Sequence, residues 1–211
     1  LHLPDGLRIT GRVTNPEGDP VAGVVVLGGA GSSVPSDATG AFEVVGLVSG
    51  SFQLQGMPED ARYPNGWVAA GTVEADDANA TSFTVVDADV TGADFVLYRG
   101  RTISGHVTGA VGAPIAVTAI DAPISYPARV DASGNFKVTG LYPGSYHLLF
   151  AVPETLADDE SQFPYGIYNG PGKVLADQNA AGVAVSVIGG NVIGLTAVVP
   201  ALPSLQGTVS D

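Results

Sequence analysis

Apolar and polar residues alternate along most of this chain in runs of four to eight, and Gly, Pro, Asp and Asn interrupt the runs. Ile9, Gly11 and Val13 take one set of positions while Thr10 and Arg12 take the other. Phe42 and Val44 flank Glu43, and Phe52 and Leu54 continue the rhythm. A period of two is the mark of a strand with one face in a core and one in water. The pattern requires no helix.

The longest patterned stretch occurs twice. Residues 37–54, DATGAFEVVGLVSGSFQL, reappear as residues 131–148, DASGNFKVTGLYPGSYHL, at a shift of 131 − 37 = 94. Gly40, Phe42, Gly46, Leu47 and Gly50 map without a gap onto Gly134, Phe136, Gly140, Leu141 and Gly144. Asp-x-x-Gly predicts a tight hairpin, because Asp can bond the backbone ahead of it and Gly accepts positive φ. Tyr142-Pro143-Gly144 predicts a type II turn with Gly in the left-handed position.

The same shift carries Ile9, Gly11 and Val13 onto Ile103, Gly105 and Val107. A glycine at mid-strand predicts another backbone passing close above it. A loop about six residues longer then moves the shift to 100, where Tyr63-Pro64-Asn65-Gly66-Trp67 meets Phe163-Pro164-Tyr165-Gly166-Ile167. The closing strands, around Phe83, Val85, Phe95 and Leu97, recur at a shift of 102. The expectation is all-β: two tandem seven-stranded Ig-like or transthyretin-like sandwiches, over residues 1–98 and 99–202.

Composition sharpens this. The 211 residues include 29 Gly and 15 Pro, as many turns require, and no Cys. A net charge of −13 argues against nucleic-acid and anionic-membrane partners, which need basic patches. No apolar run has membrane length, so membrane insertion is not expected. With 14% charged residues the surface is mostly Ser, Thr, Ala, Gly and Asn, the composition of a solvated module outside the cell or on its surface.

Taken together, I-T-G-R-V-T, G-D-P-V-A-G, D-A-T-G-A-F, G-L-V-S-G-S-F, Y-P-N-G-W and V-T-G-A-D-F-V-L resemble the carboxypeptidase regulatory-like domain, a prealbumin-like sandwich related to the Cna protein B-type repeats of bacterial surface proteins. The resemblance spans nearly the whole chain, twice, and implies a module without catalytic activity of its own.

Candidate chemistry is sparse. His2, His106 and His147 have no shared counterparts in the other copy and no triad or metal spacing, so they are expected at the surface, and no catalytic residue is assigned. Asp131, Ser133 and Asn135, and likewise Asp87 and Asp89 with Asp94 nearby, stand at spacings that suit Ca²⁺. The distal Glu of a calcium loop is missing, and local turn bonding is the preferred role. No metal and no cofactor is expected. The aromatic residues Tyr63, Trp67, Phe163, Tyr165 and Tyr168 leave two readings. They plug the open end of a thin sandwich, each buried ring contributing about 1.5–3 kcal/mol, or they stack on sugars from a loop. The plug is preferred.

The function expected is a non-enzymatic extracellular stalk, adhesin shaft or fibre subunit. The alternative is a carbohydrate-binding accessory module of a secreted enzyme, with polysaccharide as partner. Residues 1–5 align with the tail of a preceding repeat and residues 203–211 with the first strand of a third. Leu205, Gly207 and Val209 are therefore expected in a strand that pairs with another copy or an adjacent repeat, end to end. Some B-type repeats carry a lysine-to-asparagine isopeptide bond, but Lys137 and Lys173 are the only lysines and both lie in the second copy. Intact-protein mass spectrometry should return the unmodified sequence mass. A deficit of one ammonia or one water would contradict this.

Overall fold

The structure, a computed structural model, describes residues 6–29, 31–109, 116–120, 126–151, 166–175 and 182–199. Every regular element among them is a strand. The chain divides into two compact units, with the main break between Gly100 and Arg101 and with Gly140–Tyr142 grouped with the first. The first contains β1 (Leu7–Thr14), β2 (Val24–Gly28), β3 (Gly31–Ser32), β4 (Ala41–Leu47), β5 (Gly50–Pro58), β6 (Gly66–Ala69), β7 (Thr72–Glu74), β8 (Ser82–Val85) and β9 (Phe95–Val96). The second contains β10 (Arg101–Thr108), β11 (Ala116–Ile120), β12 (Tyr126–Arg129), β13 (Asn135–Leu141), β14 (Ser145–Ala151), β15 (Gly166–Tyr168), β16 (Val174–Leu175), β17 (Val185–Ser186) and β18 (Val192–Val198).

In the first unit β4–β1–β9 form one layer and β3–β2–β5–β6–β7 the other, with β8 beside the start of β5. The layers are joined by a parallel pairing of Thr72 with Val96 and by an isolated antiparallel bridge between Ser33, next to β3, and Val44 of β4. The second unit repeats the order strand for strand: β13–β10–β18, and β12–β11–β14–β15–β16 with β17 on β14. In both units the first strand runs parallel to the last, and in the first unit it runs antiparallel to the hairpin strand.

Among the described residues each unit has nine strands where the alternation predicts seven. The two additional strands of the first unit, β6 and β7, are joined by Ala70 (φ 47°) and Gly71 (φ 80°), so that Ala69 pairs with Thr72 and Trp67 with Glu74. Two successive left-handed residues form the turn whose twist suits a hairpin, usually signalled by Asn-Gly or Asp-Gly. Ala-Gly carries no such signal, and Ala pays roughly 1–2 kcal/mol for the left-handed conformation.

The hairpin glycines take the expected conformation, φ 77° at Gly40 and 84° at Gly134. The type II turn expected at Gly144 does not form. Positive φ sits instead at Gly46 (76°) and Gly140 (73°), and neither Gly50 nor Gly144 has it. In the first unit the pairing of β1 with β4 slips between Leu7↔Leu47 and Ile9↔Val44, so Gly46 belongs to a bulge that bends the strand before Val48-Ser49-Gly50.

Between the layers lies a continuous apolar core: Ile9, Val13, Phe42, Val44, Phe95 and Leu97 from one side, Val24, Val26, Leu54, Val68 and Val73 from the other. Gly11 permits the close approach its position predicts. A Cβ there would stand 2.6 Å from the Ala93 carbonyl carbon, and one on Gly105 2.8 Å from that of Leu195. The large rings are arranged differently in the two units. Phe42 packs against Phe95 of β9 with centroids 5.7 Å apart, and a Cβ on Gly56 of β5 would already be 3.2 Å from the Phe95 ring. In the second unit Phe136 packs against Phe150 of β14 at 5.8 Å. Phe150 stands where β5 has Gly56, and Ala197 stands where β9 has Phe95. One large and one small residue fill equivalent space from opposite layers.

This exchange is testable by a double-mutant cycle. Phe95→Ala alone should cost about 3–5 kcal/mol, and adding Gly56→Phe should recover part of the loss, with a coupling of about 0.5–3 kcal/mol in urea denaturation. A double variant no more stable than Phe95→Ala would show that the two positions do not share a volume.

Candidate functional site

Strand register assembles one candidate site in the first unit. On the water-facing side of the larger layer, Ser32 of β3 pairs with Leu27 of β2, Leu27 with Gln55 of β5, Gln55 with Trp67 of β6, and Trp67 with Glu74 of β7. The residues flanking them in sequence, Val26, Leu54, Gly56, Val68 and Val73, are buried, so this row projects outward by the period of two. Leu27, Gln55, Trp67 and Glu74 are half-buried and Ser32 is exposed. Val25 and Met57 pair in the adjacent row, with Met57 38% exposed. Glu74 is oriented by the Asn79 side-chain amide, whose Nδ2 donates to Oε2 at 3.2 Å.

Of the aromatic residues singled out in the sequence, the structure describes Tyr63, Trp67 and Tyr168. Tyr63 is 8% exposed and belongs to the core, its N–H donating to the Asp60 carbonyl at 2.9 Å. Trp67 is on a strand rather than a loop, because the unsignalled Ala70-Gly71 turn converts that segment into a hairpin. Tyr168 is 6% exposed on β15, and burial pushes its phenol pKa up. Phe163, Tyr165, Leu205, Gly207 and Val209 lie outside the described residues, as does His2. Gln55 and Glu74 carry no sequence signal of their own. Only register places them beside Trp67.

Of the carboxylates with calcium-like spacing, Asp131, Asp89 and Asp94 are engaged with backbone, as is Asp37 in the hairpin that matches that of Asp131. Asp131 Oδ1 accepts the N–H groups of Ser133 (2.9 Å) and Asn135 (2.8 Å), and Asp37 Oδ1 accepts those of Thr39 (2.8 Å) and Ala41 (3.0 Å) plus the Thr39 hydroxyl (2.7 Å). Asp89 and Asp94 accept the N–H groups of Arg8 (2.9 Å) and Arg12 (2.8 Å), serving as side-chain rungs along β1. Among the described residues no three His, Asp or Glu side chains are grouped as metal ligands would be. His106 is exposed, its Nδ1 3.2 Å from Asn135 Oδ1, and His147 lies at an outward position of β14. Lys137 and Lys173 are exposed.

Two buried hydroxyls escaped the sequence reading. Ser36 Oγ accepts from the Val24 N–H and donates to the Val21 carbonyl, both at 2.9 Å, and Ser33 Oγ accepts from the Val26 N–H at 2.8 Å. They close the edge of β2 where β3 is too short to do so.

No protein-family model matches the chain, and no curated protein matches it. Solved structures similar to it include a streptococcal ancillary pilin (12% identity, 88% of this chain and 62% of that one, TM-score 0.39), the minor pilin of Streptococcus agalactiae (14%, 97% and 100%, 0.34) and the Bacillus anthracis TIE protein (11%, 93% and 34%, 0.36). The chain thus spans less than two-thirds of the length of the first of these.

The hairpin carboxyls predict an acid response. The Thr39 hydroxyl and the Thr39 and Ala41 N–H groups hold Asp37 below the ordinary carboxylate range, and the Asn135 N–H does most of the same for Asp131. A lowered folded-state pKa stabilises fully above the unfolded value of about 3.9 and is lost as pH falls through the folded one. From pH 5 to pH 2, the Tm of wild type should therefore fall further than that of Asp37→Asn/Asp131→Asn. Equal falls would remove these two carboxyls from the acid response.

Proposed function

We propose that this chain is a non-enzymatic structural protein of the cell exterior, part of a stalk, adhesin shaft or fibre, built from sandwiches of the carboxypeptidase regulatory-like and Cna B-type kind. The observation that carries the reading is what the two units share. Strand order, hairpin carboxylate, mid-strand glycine and filled core recur, whereas side chains facing water differ: Arg12 answers to His106, Gln53 to His147, Glu43 to Lys137. Selection of this kind preserves a folded building block and leaves its surface free.

The ionisable groups agree with this. Among the described residues, those whose proton affinity is moved, Asp37, Asp60, Arg62, Asp131 and Tyr168, are held by turns, by a local Asp60–Arg62 pair, or by burial. None forms a nucleophile with a base beside it. No helix among the described residues is long and apolar enough to cross a membrane. The partners proposed are other copies or adjacent repeats, joined end to end through strand addition.

Antibodies raised against the folded chain should label the outside of intact cells of its source and decorate extended material there. Label that appears only after lysis would sink the proposal.

A further inference from the structure

We propose that the outer face of the β3–β2–β5–β6–β7 layer is a binding platform for a neutral polysaccharide, with the Trp67 ring as its stacking surface and Gln55 and Glu74 as its hydrogen-bonding flanks. This goes beyond the structural role, which requires no ligand, and it stands or falls separately.

The geometry is that of a flat, mixed surface. Neighbouring strands lie about 4.8 Å apart, so Gln55, Trp67 and Glu74, paired in sequence across β5, β6 and β7, span about 10 Å in a line. A sugar ring offers an apolar C–H face and a rim of hydroxyls. The indole face meets the first, while the Gln55 amide can donate and accept, and the Glu74 carboxylate can accept, from the second. The Asn79 amide at 3.2 Å fixes the carboxylate, so less freedom is lost when a hydroxyl binds there. Leu27, Val25 and Met57 extend the apolar part beyond Gln55.

The sister unit shows that the fold does not need these residues. At the positions of Gln55 and Trp67 it has Leu149 and Ile167, which pair in the same way, and Ile167 is 5% exposed. Two aliphatic residues satisfy the layer, so the strand pairing itself does not require an amide and an indole at these places.

Charge selects the class of ligand. Glu74 is the charged member of the row, on a chain of net charge −13, so a polymer of phosphates or uronic acids is repelled where a neutral glycan is not. Nucleic-acid bases also stack on aromatic rings, but their backbone meets the same repulsion.

The test uses the whole chain. Trp67 is its one tryptophan, so fluorescence reports on this face alone. Titration with hydroxyethylcellulose, galactomannan, xyloglucan and soluble starch, with polygalacturonate as the acidic control, should shift Trp67 emission for at least one neutral polymer and not for the acidic one. Affinity electrophoresis through gels containing the same polymers should show matching retardation. Trp67→Ala should weaken binding about tenfold or more, and Trp67→Phe should keep part of it. Gln55→Leu, which installs the sister unit's residue, tests the flank in a variant expected to fold. No response to any neutral polymer, equal retardation of the Trp67→Ala or Gln55→Leu chains, or self-association in ultracentrifugation that Trp67→Ala abolishes would each overturn the proposal, the last by assigning the face to a second copy.

Discussion

The space between two thin β-layers has to be filled, and in each unit a pair of phenylalanine rings helps to fill it. Phe42 and Phe136 occupy the same place on the hairpin strand, and each needs a second ring against it. Where that ring comes from decides the small residues around it: Phe95 requires Gly56, and Phe150 is accompanied by Ala197. Interiors pack like organic crystals, so two large rings or two small residues at this pair of sites would cost several kcal/mol as overlap or void. Glycines at Gly11 and Gly105 then bring the last strand down onto the first, which sets how closely the layer beside the rings can pack.

A sandwich with strands of two to nine residues leaves many backbone groups without a ladder partner, and this chain meets that need with side chains. Asp89 and Asp94 act as rungs for β1, and Asn191 does the same for Thr102 in the second unit at 3.0 Å. Ser33 and Ser36 do so for β2. Magnitudes separate these roles from surface pairing. The Arg8–Glu43 pair, 2.8 Å apart and over 40% exposed at both ends, contributes at most about 1 kcal/mol. A buried N–H left unpaired by loss of Ser36 would cost about 1–3 kcal/mol. Part of the acidic character of the chain is therefore structural, a means of satisfying backbone in turns and at edges.

Function then falls to what the core leaves free. In the second unit the outer positions at the centre of the larger layer are aliphatic, whereas in the first they hold an indole, an amide and a carboxylate on neighbouring strands. The scaffold is duplicated and the decoration is not, which is how a single fold comes to carry different surfaces.

The sequence by itself determined the class of fold, the repeat and the hairpins, because these rest on local chemistry: a period of two, an Asp that bonds its own turn, a Gly that accepts positive φ. The gap-free match of residues 37–54 with 131–148 is legible for the same reason, and so is the close approach over Gly11 and Gly105. Tertiary structure alone decided the rest. The β6–β7 hairpin turns on Ala70, whose left-handed φ no propensity announces, and it moved Trp67 from an expected loop to a strand face. Gln55 and Glu74 lie 12 and 7 residues from Trp67 in sequence and meet it only through register. The exchange of Phe95 with Gly56 for Ala197 with Phe150 joins residues from opposite layers, and no single run of sequence contains both halves of that contact. Period and turn chemistry act over a few neighbours, whereas volume and register are properties of the folded pair of layers.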